Sequence, residues 1–252
     1  MPFSLFDCNC MIGMRADRKE GEPWSLQQLC ADMQSCGIAE ALVTHAMSRD
    51  YDPAAGNKEL SRLLSGTKGL FGCWAILPPA TREVAEPAVF IREMFAQGIS
   101  AAIAYPHMHN YSLSDWSLRP LLSAFENARV PLLLPFGQFN WEEVERLCSV
   151  YAHIPIIITG LNYRQLRYLL PMWEKHSNLF VDLSWFSIHD GLSYLLERGL
   201  LHQVLFGSNY PLYEPGAAVT MITYAALTDE EKQRVAGGTL RDIISRIRRE
   251  TA

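Results

Sequence analysis

The 252-residue sequence lacks long hydrophobic runs and has no strong excess of charge of either sign. Its longest apolar stretches, around 130–136 and 154–158, fall far short of the roughly 20 residues that a membrane-spanning helix needs. The 22 lysines and arginines are scattered among 27 acidic residues, which gives a net charge of −5. We therefore expect neither membrane association nor nucleic-acid binding.

The sequence is also poor in cysteine, with six residues of this type. They lie in apolar stretches, as in Cys8-x-Cys10, and do not have the dense spacing of a secreted disulfide scaffold. The N-terminal residues lack the basic region that opens a secretory signal. These absences predict free thiols in a reducing compartment, and therefore a cytoplasmic protein.

Eight short apolar runs alternate with stretches of helical spacing along the whole chain. Hydrophobic residues make up 49% of the sequence, which is enough for a large core. The runs are Phe3–Ile12, Ala39–Thr44, Gly69–Ile76, Ile99–Tyr105, Val130–Phe136, Ile154–Thr159, Asn178–Leu183 and Gln203–Gly207. Most are continuously apolar, as expected of parallel strands that helices cover. This pattern predicts an α/β protein with a (β/α)8 TIM barrel as a single domain over residues 1–252, and an open doubly wound sheet is the alternative.

Capping signals support this alternation at both ends of the helices. Three residue pairs have the spacing of a capping box, and four glycines stand where a helix gives way to the next strand. The pairs are Ser25 with Gln28, Asn140 with Glu143 and Thr228 with Glu231, and the glycines are Gly37, Gly66, Gly98 and Gly199. The helix ends are thus predicted independently of the apolar runs.

Three of the loops that follow the predicted strands are long, namely Gly13–Trp24, Pro106–Ser117 and Ser208–Gly216. In a TIM barrel such loops lie at the carboxyl ends of the strands, where active sites are built. We therefore expect the functional site at this end of the barrel.

The first strand carries its polar residues on one face. Two-residue alternation places Asp7, Asn9 and Met11 towards the barrel mouth and places Cys8 and Cys10 towards the surrounding helices. Two buried, inert thiols are the expected result for the cysteine pair.

The same strand resembles a motif of the amidohydrolase superfamily, in particular of its amidohydrolase-related branch of metal-dependent hydrolases and nonoxidative decarboxylases. Asp7 and Gly13 match the ends of the Asp-x-His-x-His-x-Gly run of that family. Later segments are similar to its strands four, seven and eight, at 98–111, 178–184 and 204–211. The resemblance implies a metal-dependent-hydrolase-like TIM barrel, zinc or another divalent metal as cofactor, a small-molecule ligand and a homodimer.

The resemblance also places the metal-binding positions of the family on unsuitable residues. The two histidines of the first strand fall on Asn9 and Met11, those of strands five and six on Pro135 and Gly160, and the aspartate of strand eight on Asn209. An amide, a thioether, a proline and a glycine do not supply the imidazole and carboxylate ligands of a zinc or manganese site. We therefore predict that the metal site is lost and that the chain uses no metal cofactor.

Polar and aromatic residues nevertheless converge on the predicted mouth. We predict an acid/base role for Asp182, paired with His45 or His107, in a pocket that has polar groups in an apolar wall. The predicted binding residues are Asp7, Asn9, Trp74, Tyr105, Gln138, Asn162, Arg164, Trp185, Asn209 and Tyr213. Among them, Arg164 is expected to hold an anionic group of the ligand.

Two kinds of function are compatible with this pattern. The first is a pseudoenzyme, with a degenerate, metal-free site at the C-terminal barrel face that binds a small polar or carboxylated molecule without catalysis. The alternative is a hydrolase or lyase, decarboxylase- or lactonase-like by resemblance, that acts without the family metal or through unusual ligands. Such ligands would come from His45, His107, His109 and Asp182. The sequence leaves open which molecule is bound and whether the protein is an enzyme.

Overall fold

The computed structural model describes residues 3–251, which contain eight strands and eleven α-helices. The strands are β1 Leu5–Ile12, β2 Ile38–His45, β3 Leu70–Ala75, β4 Ile99–Ile103, β5 Leu132–Pro135, β6 Ile156–Thr159, β7 Leu179–Asp182 and β8 Val204–Leu205. The helices are α1 Leu26–Cys36, α2 Ala46–Asp50, α3 Pro53–Leu64, α4 Pro87–Ala96, α5 Asp115–Ala128, α6 Trp141–Val150, α7 Leu166–Lys175, α8 Gly191–Glu197, α9 Pro215–Thr223, α10 Asp229–Gln233 and α11 Thr239–Ser245. Single 3-10 turns cover Pro79–Thr81, Tyr163–Gln165, Leu201–Gln203 and Arg249–Thr251, and a π-helical turn, Arg234–Gly238, joins α10 to α11.

The strands form one parallel sheet in the order β1 to β8, and the sheet closes on itself. Across the junction of β1 with the β8 segment, the Cys8 N–H donates to the Phe206 carbonyl at 3.0 Å and the Met11 N–H donates to the Tyr210 carbonyl at 2.8 Å. These bonds satisfy backbone groups that an open sheet would leave unpaired at its edges. The prediction of a (β/α)8 TIM barrel is confirmed, and the open doubly wound sheet is wrong.

The predicted capping signals lie at helix ends. All three capping boxes are present, at the N-termini of α1, α6 and α10, with the hydrogen bonds made in both directions. The four glycines predicted to end helices have positive φ angles between 70° and 77°, a region that residues without a Cβ enter at little cost. Local sequence signals therefore fix where these helices begin and end.

Two apolar clusters lie on the two sides of the strand ring. The inner cluster fills the barrel, and α11 closes its bottom with Leu240 and Ile243. The larger outer cluster lies between the strands and the helices, where Trp74 packs against Phe90 of α4. Within residues 3–251, no helix combines the length and the apolar character that crossing a bilayer requires.

A bulge in β1 changes which of its side chains face inwards. Asp7 pairs with Ala41 but Cys10 pairs with Val43, so β1 has one more residue than β2 over this span. Cys8 therefore lies in the inner cluster, whereas Cys10 lies in the outer one. The expected alternation is correct for Asn9, Met11 and Cys10 but wrong for Asp7 and Cys8, because the extra residue shifts the two-residue period.

Candidate functional site

A cavity of about 430 Å³ opens at the carboxyl ends of the strands. All five positions at which the resemblance expects metal ligands line it: Asn9, Met11, Pro135, Gly160 and Asn209. Because these residues lie in or after four different strands, the closed barrel is what brings them together. The structure thus brings the five positions together around one cavity.

Asp182, at the end of β7, lies directly beneath this cavity. Its Oδ2 accepts hydrogen bonds from Asn9 Nδ2 at 3.0 Å and from the Ser184 hydroxyl at 2.8 Å, and its Oδ1 accepts one from the Gly160 N–H at 2.9 Å. The amide of Asn9 also donates to Asn209 Oδ1 at 3.3 Å. Asn9 thus covers the acid and links it to the cavity wall.

The environment of Asp182 makes it a weaker acid than usual. Burial is the largest cause, and together with the nearby charge of Asp7 it outweighs the three hydrogen bonds and raises the pKa of Asp182 to about 6. Close approach of the next strand contributes to this burial, since a Cβ at Gly207 would lie 2.8 Å from the carboxylate. A carboxyl group of this kind carries its proton for a useful fraction of the time near neutral pH.

Asp7 is also buried but does not line the cavity. Its Oδ1 accepts hydrogen bonds from the N–H groups of Asn9 and Ser208, both at 3.0 Å, and so ties the bulge of β1 to the β8 segment. Burial raises the pKa of Asp7. The structure therefore places Asp7 outside the cavity lining, in a position that supports the barrel closure.

Two arginines that sequence reasoning missed stand at the rim. Arg15, in the loop after β1, and Arg49, in α2, both line the cavity and both contact Asp17. Burial by itself would raise the pKa of Asp17. The hydrogen bond and charge of Arg15 and the charge of Arg49 have a larger combined effect in the opposite direction, so the pKa of Asp17 is lowered overall. No motif contains these arginines. Their positions shortly after the ends of β1 and β2 were the one sequence signal that could have indicated a place at the mouth.

Aromatic side chains form much of the remaining wall. Of the predicted binding residues, Tyr105, Gln138, Trp185 and Tyr213 line the cavity with Asn9 and Asn209. The rings of Trp185 and Tyr213 lie 5.9 Å apart, and Phe136 joins them in the wall. A flat apolar ligand would find stacking surfaces here.

Besides Asp7 and Asp182, five more of the predicted residues do not line the cavity. His45 accepts a hydrogen bond from the Met47 N–H through Nδ1 and so caps α2, and burial lowers its pKa. His107 is exposed and bonds to the Gly137 carbonyl, while Trp74 donates to the Ser61 hydroxyl on the helical side of the sheet. Asn162 caps the turn that contains the exposed Arg164. The proposed pairing of Asp182 with His45 or His107 is therefore not formed, because both imidazoles bond to loop or helix backbone instead.

Comparison with known proteins supports the architecture. A sequence profile of the amidohydrolase family matches residues 14–242. A search of curated protein sequences finds no significant match. The 5-carboxyvanillate decarboxylase of Sphingomonas paucimobilis has a similar structure, with a TM-score of 0.72 and 15% identity over 96% of this chain and 99% of that one.

Two further relatives were crystallised with manganese. The 5-carboxyvanillate decarboxylase of Novosphingobium aromaticivorans, with bound 4-hydroxy-3-methoxy-5-nitrobenzoic acid, has a TM-score of 0.75 and 12% identity over 96% of both chains. The dihydroxybenzoic acid decarboxylase of a Polaromonas species, with bound 2-nitroresorcinol, has a TM-score of 0.69 and 12% identity over 96% of this chain and 97% of that one.

The manganese ions correct our prediction that no metal cofactor is used. They indicate a divalent metal as the cofactor of such barrels. The prediction was wrong because it considered only the side chains at five positions, whereas divalent metals also take waters and substrate oxygens as ligands.

The donors at the mouth differ from the histidine-rich set that the resemblance implies. Manganese accepts carboxylate and amide oxygens, but both oxygens of Asp182 already accept hydrogen bonds, and the amide nitrogen of Asn9 points towards Asp182 and Asn209. Across the described chain, no three or more His, Cys, Asp or Glu side chains are grouped so as to hold a metal ion. These residues do not fit the metal site of the family, and we assign no catalytic step to a metal.

Proposed function

This chain belongs to the amidohydrolase family, and we propose that it is a lyase, a nonoxidative decarboxylase that acts on a small aromatic carboxylate in the mouth cavity. The observation that carries the proposal is Asp182, a buried acid with a pKa of about 6. It is hydrogen-bonded to Asn9 and Gly160, which line a cavity with aromatic walls and two arginines at its rim. The decarboxylases of similar structure support this choice of reaction over hydrolysis.

The cavity suits an aromatic carboxylate in size and in chemistry. Its volume of about 430 Å³ lies within the range of small-molecule sites. Tyr105, Phe136 and Trp185 provide surfaces for the ring. Arg49 provides a guanidinium group for a carboxylate, a pairing that is stronger than a neutral hydrogen bond.

In the proposed reaction the substrate displaces the amide of Asn9 and contacts Asp182. The protonated acid transfers its proton to the ring carbon that bears the carboxylate. The ring π system supplies the electron pair of the new C–H bond. The bond between this carbon and the carboxylate then breaks, its electron pair returns to the ring and restores the aromatic system, and CO2 leaves. Asp182, left ionised, takes a proton from water, so each turnover consumes one proton and releases one CO2.

The test is CO2 release from 5-carboxyvanillate and 2,6-dihydroxybenzoate, with manganese present in the buffer, as a function of pH. Only the protonated form of Asp182 is competent, so kcat/KM should be constant below about pH 6 and fall about tenfold per pH unit above it. In Asp182→Asn we expect a loss of at least about 100-fold, because the proton donor is gone.

The control is Asp7→Asn, which changes a second buried acid outside the cavity. Its Oδ1 can still accept both backbone hydrogen bonds. This variant should keep the activity, and the fall of kcat/KM should begin at a slightly lower pH because the charge of Asp7 raises the pKa of Asp182. Binding of both compounds without CO2 release would instead favour a noncatalytic ligand-binding barrel.

A further inference from the structure

The rim of the cavity holds an ion-pair cluster formed by Arg15, Arg49 and Asp17, with Glu22 and Asp50 behind it. Asp17 Oδ1 accepts hydrogen bonds from Arg15 at 2.8 and 3.1 Å and lies 3.5 Å from Arg49 Nη2. Arg15 also donates to Glu22 at 2.9 Å, and Arg49 Nε lies 3.0 Å from Asp50 Oδ1. A carboxylate of this chain therefore already sits against both guanidinium groups that line the cavity.

The partners in this cluster differ in how firmly they are held. The side chains of Arg15 and Arg49 are only 5% and 18% exposed, whereas that of Asp17 is 60% exposed. The backbone around Asp17 is held independently, since the Ala16 N–H donates to Asp50 at 2.9 Å. The side chain of Asp17 can therefore swing into solvent while the loop and both arginines stay in place.

The charges at the rim oppose the binding of a carboxylate as long as the Asp17 side chain stays in place. Two guanidinium groups face three carboxylates there, those of Asp17, Glu22 and Asp50. A substrate carboxylate would add a fourth anion to a group that is already negative by one charge. Like charges at such distances repel one another, and among the three acids only Asp17 both lines the cavity and is exposed.

We propose that Asp17 occupies the subsite of the substrate carboxylate and leaves Arg49 when a carboxylated ligand binds. Asp17 thereby acts as an internal competitor that sets the affinity for carboxylates. This inference rests on the proposed function, because it assumes that the ligand presents a carboxylate to Arg49.

The test compares the binding of 2,6-dihydroxybenzoate and of its uncharged amide, 2,6-dihydroxybenzamide, by calorimetry. Asp17→Asn removes the competing charge and should bind the carboxylate about fivefold more tightly, since an exposed ion pair contributes up to about 1 kcal/mol. Its affinity for the amide should not change. In turnover, KM should fall by the same factor while kcat stays the same.

Asp242→Asn is the matched control, since it removes an acid that is also largely exposed, 47% against 60% for Asp17, from an ion pair with Arg234 in the C-terminal helical segment. If this variant gains as much affinity for the carboxylate as Asp17→Asn does, net charge is responsible and the inference is overturned. It is also overturned if Asp17→Asn binds the carboxylate more weakly, because Asp17 would then position the arginines. In that case the proposed function stands, whereas failure of the wild type and the variant to bind any carboxylate removes both.

Discussion

Arg49 is the arginine of the cavity that has the most freedom to bind a ligand. Arg15 is held at three distances of 2.8 to 3.1 Å by Asp17 and Glu22, whereas Arg49 has one contact of 3.0 Å, with Asp50, and a longer one of 3.5 Å, with Asp17. Arg164, the anion-binding residue expected from the sequence, is exposed and does not line the cavity. Substitution of Arg49 should therefore weaken ligand binding, whereas substitution of Arg164 should not.

We expect Arg49→Gln to raise KM for an aromatic carboxylate by about tenfold to 100-fold, since hydrogen bonds to charged groups contribute about 1.5–3 kcal/mol. Arg164→Gln should leave KM within about twofold of the wild type. Steady-state kinetics on one substrate measures both. An effect of Arg164→Gln as large as that of Arg49→Gln would mean that the ligand reaches beyond the cavity.

At the scale of residues, the sequence predicted the floor of the site better than its rim. Asn9 and Asn209 follow a family motif, and Asp182 ends a clear strand, so pattern alone indicated that these three residues would lie together. Arg49 lies in the short helix that directly follows β2, and no motif announces that its side chain turns into the mouth. His45 and His107 were misplaced because sequence does not reveal that backbone groups at the loop ends occupy their rings.

At the scale of elements, the end of β1 and the start of α2 depend on each other. Gly13 has a φ of 89°, and a Cβ there would lie 2.7 Å from the ring of His45. That ring is buried and caps α2, the helix that carries Arg49. The loop after β1 thus fixes the position of a cavity residue that belongs to a different strand–helix unit.

Gly13→Ala should therefore destabilise the protein more than Gly21→Ala. Both glycines have positive φ angles, of 89° and 81°, but Gly21 has no atom within 4 Å of the position of its added Cβ. Gly21→Ala should lower the free energy of unfolding by about 1–2 kcal/mol, because alanine is disfavoured in a left-handed backbone conformation. Gly13→Ala should lower it by about 1–3 kcal/mol more, because the added methyl group overpacks against His45. Urea unfolding at one pH provides the comparison, and equal losses would show that the His45 ring moves aside freely.

Elements whose sequence signals come from neighbouring residues were predicted correctly. A feature that depends on pairing between two strands was not. The three capping boxes and the apolar strands depend on neighbouring residues, so their positions follow from sequence. The bulge in β1 depends on how this strand pairs with β2, and nothing in residues 5–12 alone indicates the extra residue. That single residue decided the wrong placement of Asp7 and Cys8.

At the scale of the whole molecule, α11 closes the bottom of the barrel, the end opposite the mouth cavity. Leu240 is 1% exposed and packs in the inner cluster with side chains from β1 and β8. Ile244 lies one turn further along and is only partly buried against the same cluster. We propose that this closure makes residues 1–252 a single domain, since α11 completes the core of strands that begin the chain.

Leu240→Ala should lower the free energy of unfolding by about 2–4 kcal/mol, as expected for a large aliphatic side chain removed from a packed core. Ile244→Ala deletes the same number of carbon atoms but should cost about 1 kcal/mol, because part of that side chain is already in water. Chemical denaturation of both variants gives the two values. Similar losses of unfolding free energy in the two variants would indicate that Leu240 is not packed into the bottom of the barrel.

The hydrogen bond from the Ser208 N–H to Asp7 joins residues that are 201 positions apart. At synthesis rates of about 5–20 residues per second, the ribosome needs about 10–40 s to produce Ser208 after Asp7. During this interval β1 is without its partner on one side, and its unpaired edge is open to other strands. The ring closure that assembles the mouth cavity therefore also leaves one edge of the nascent first strand unpaired until the last strand has been synthesised.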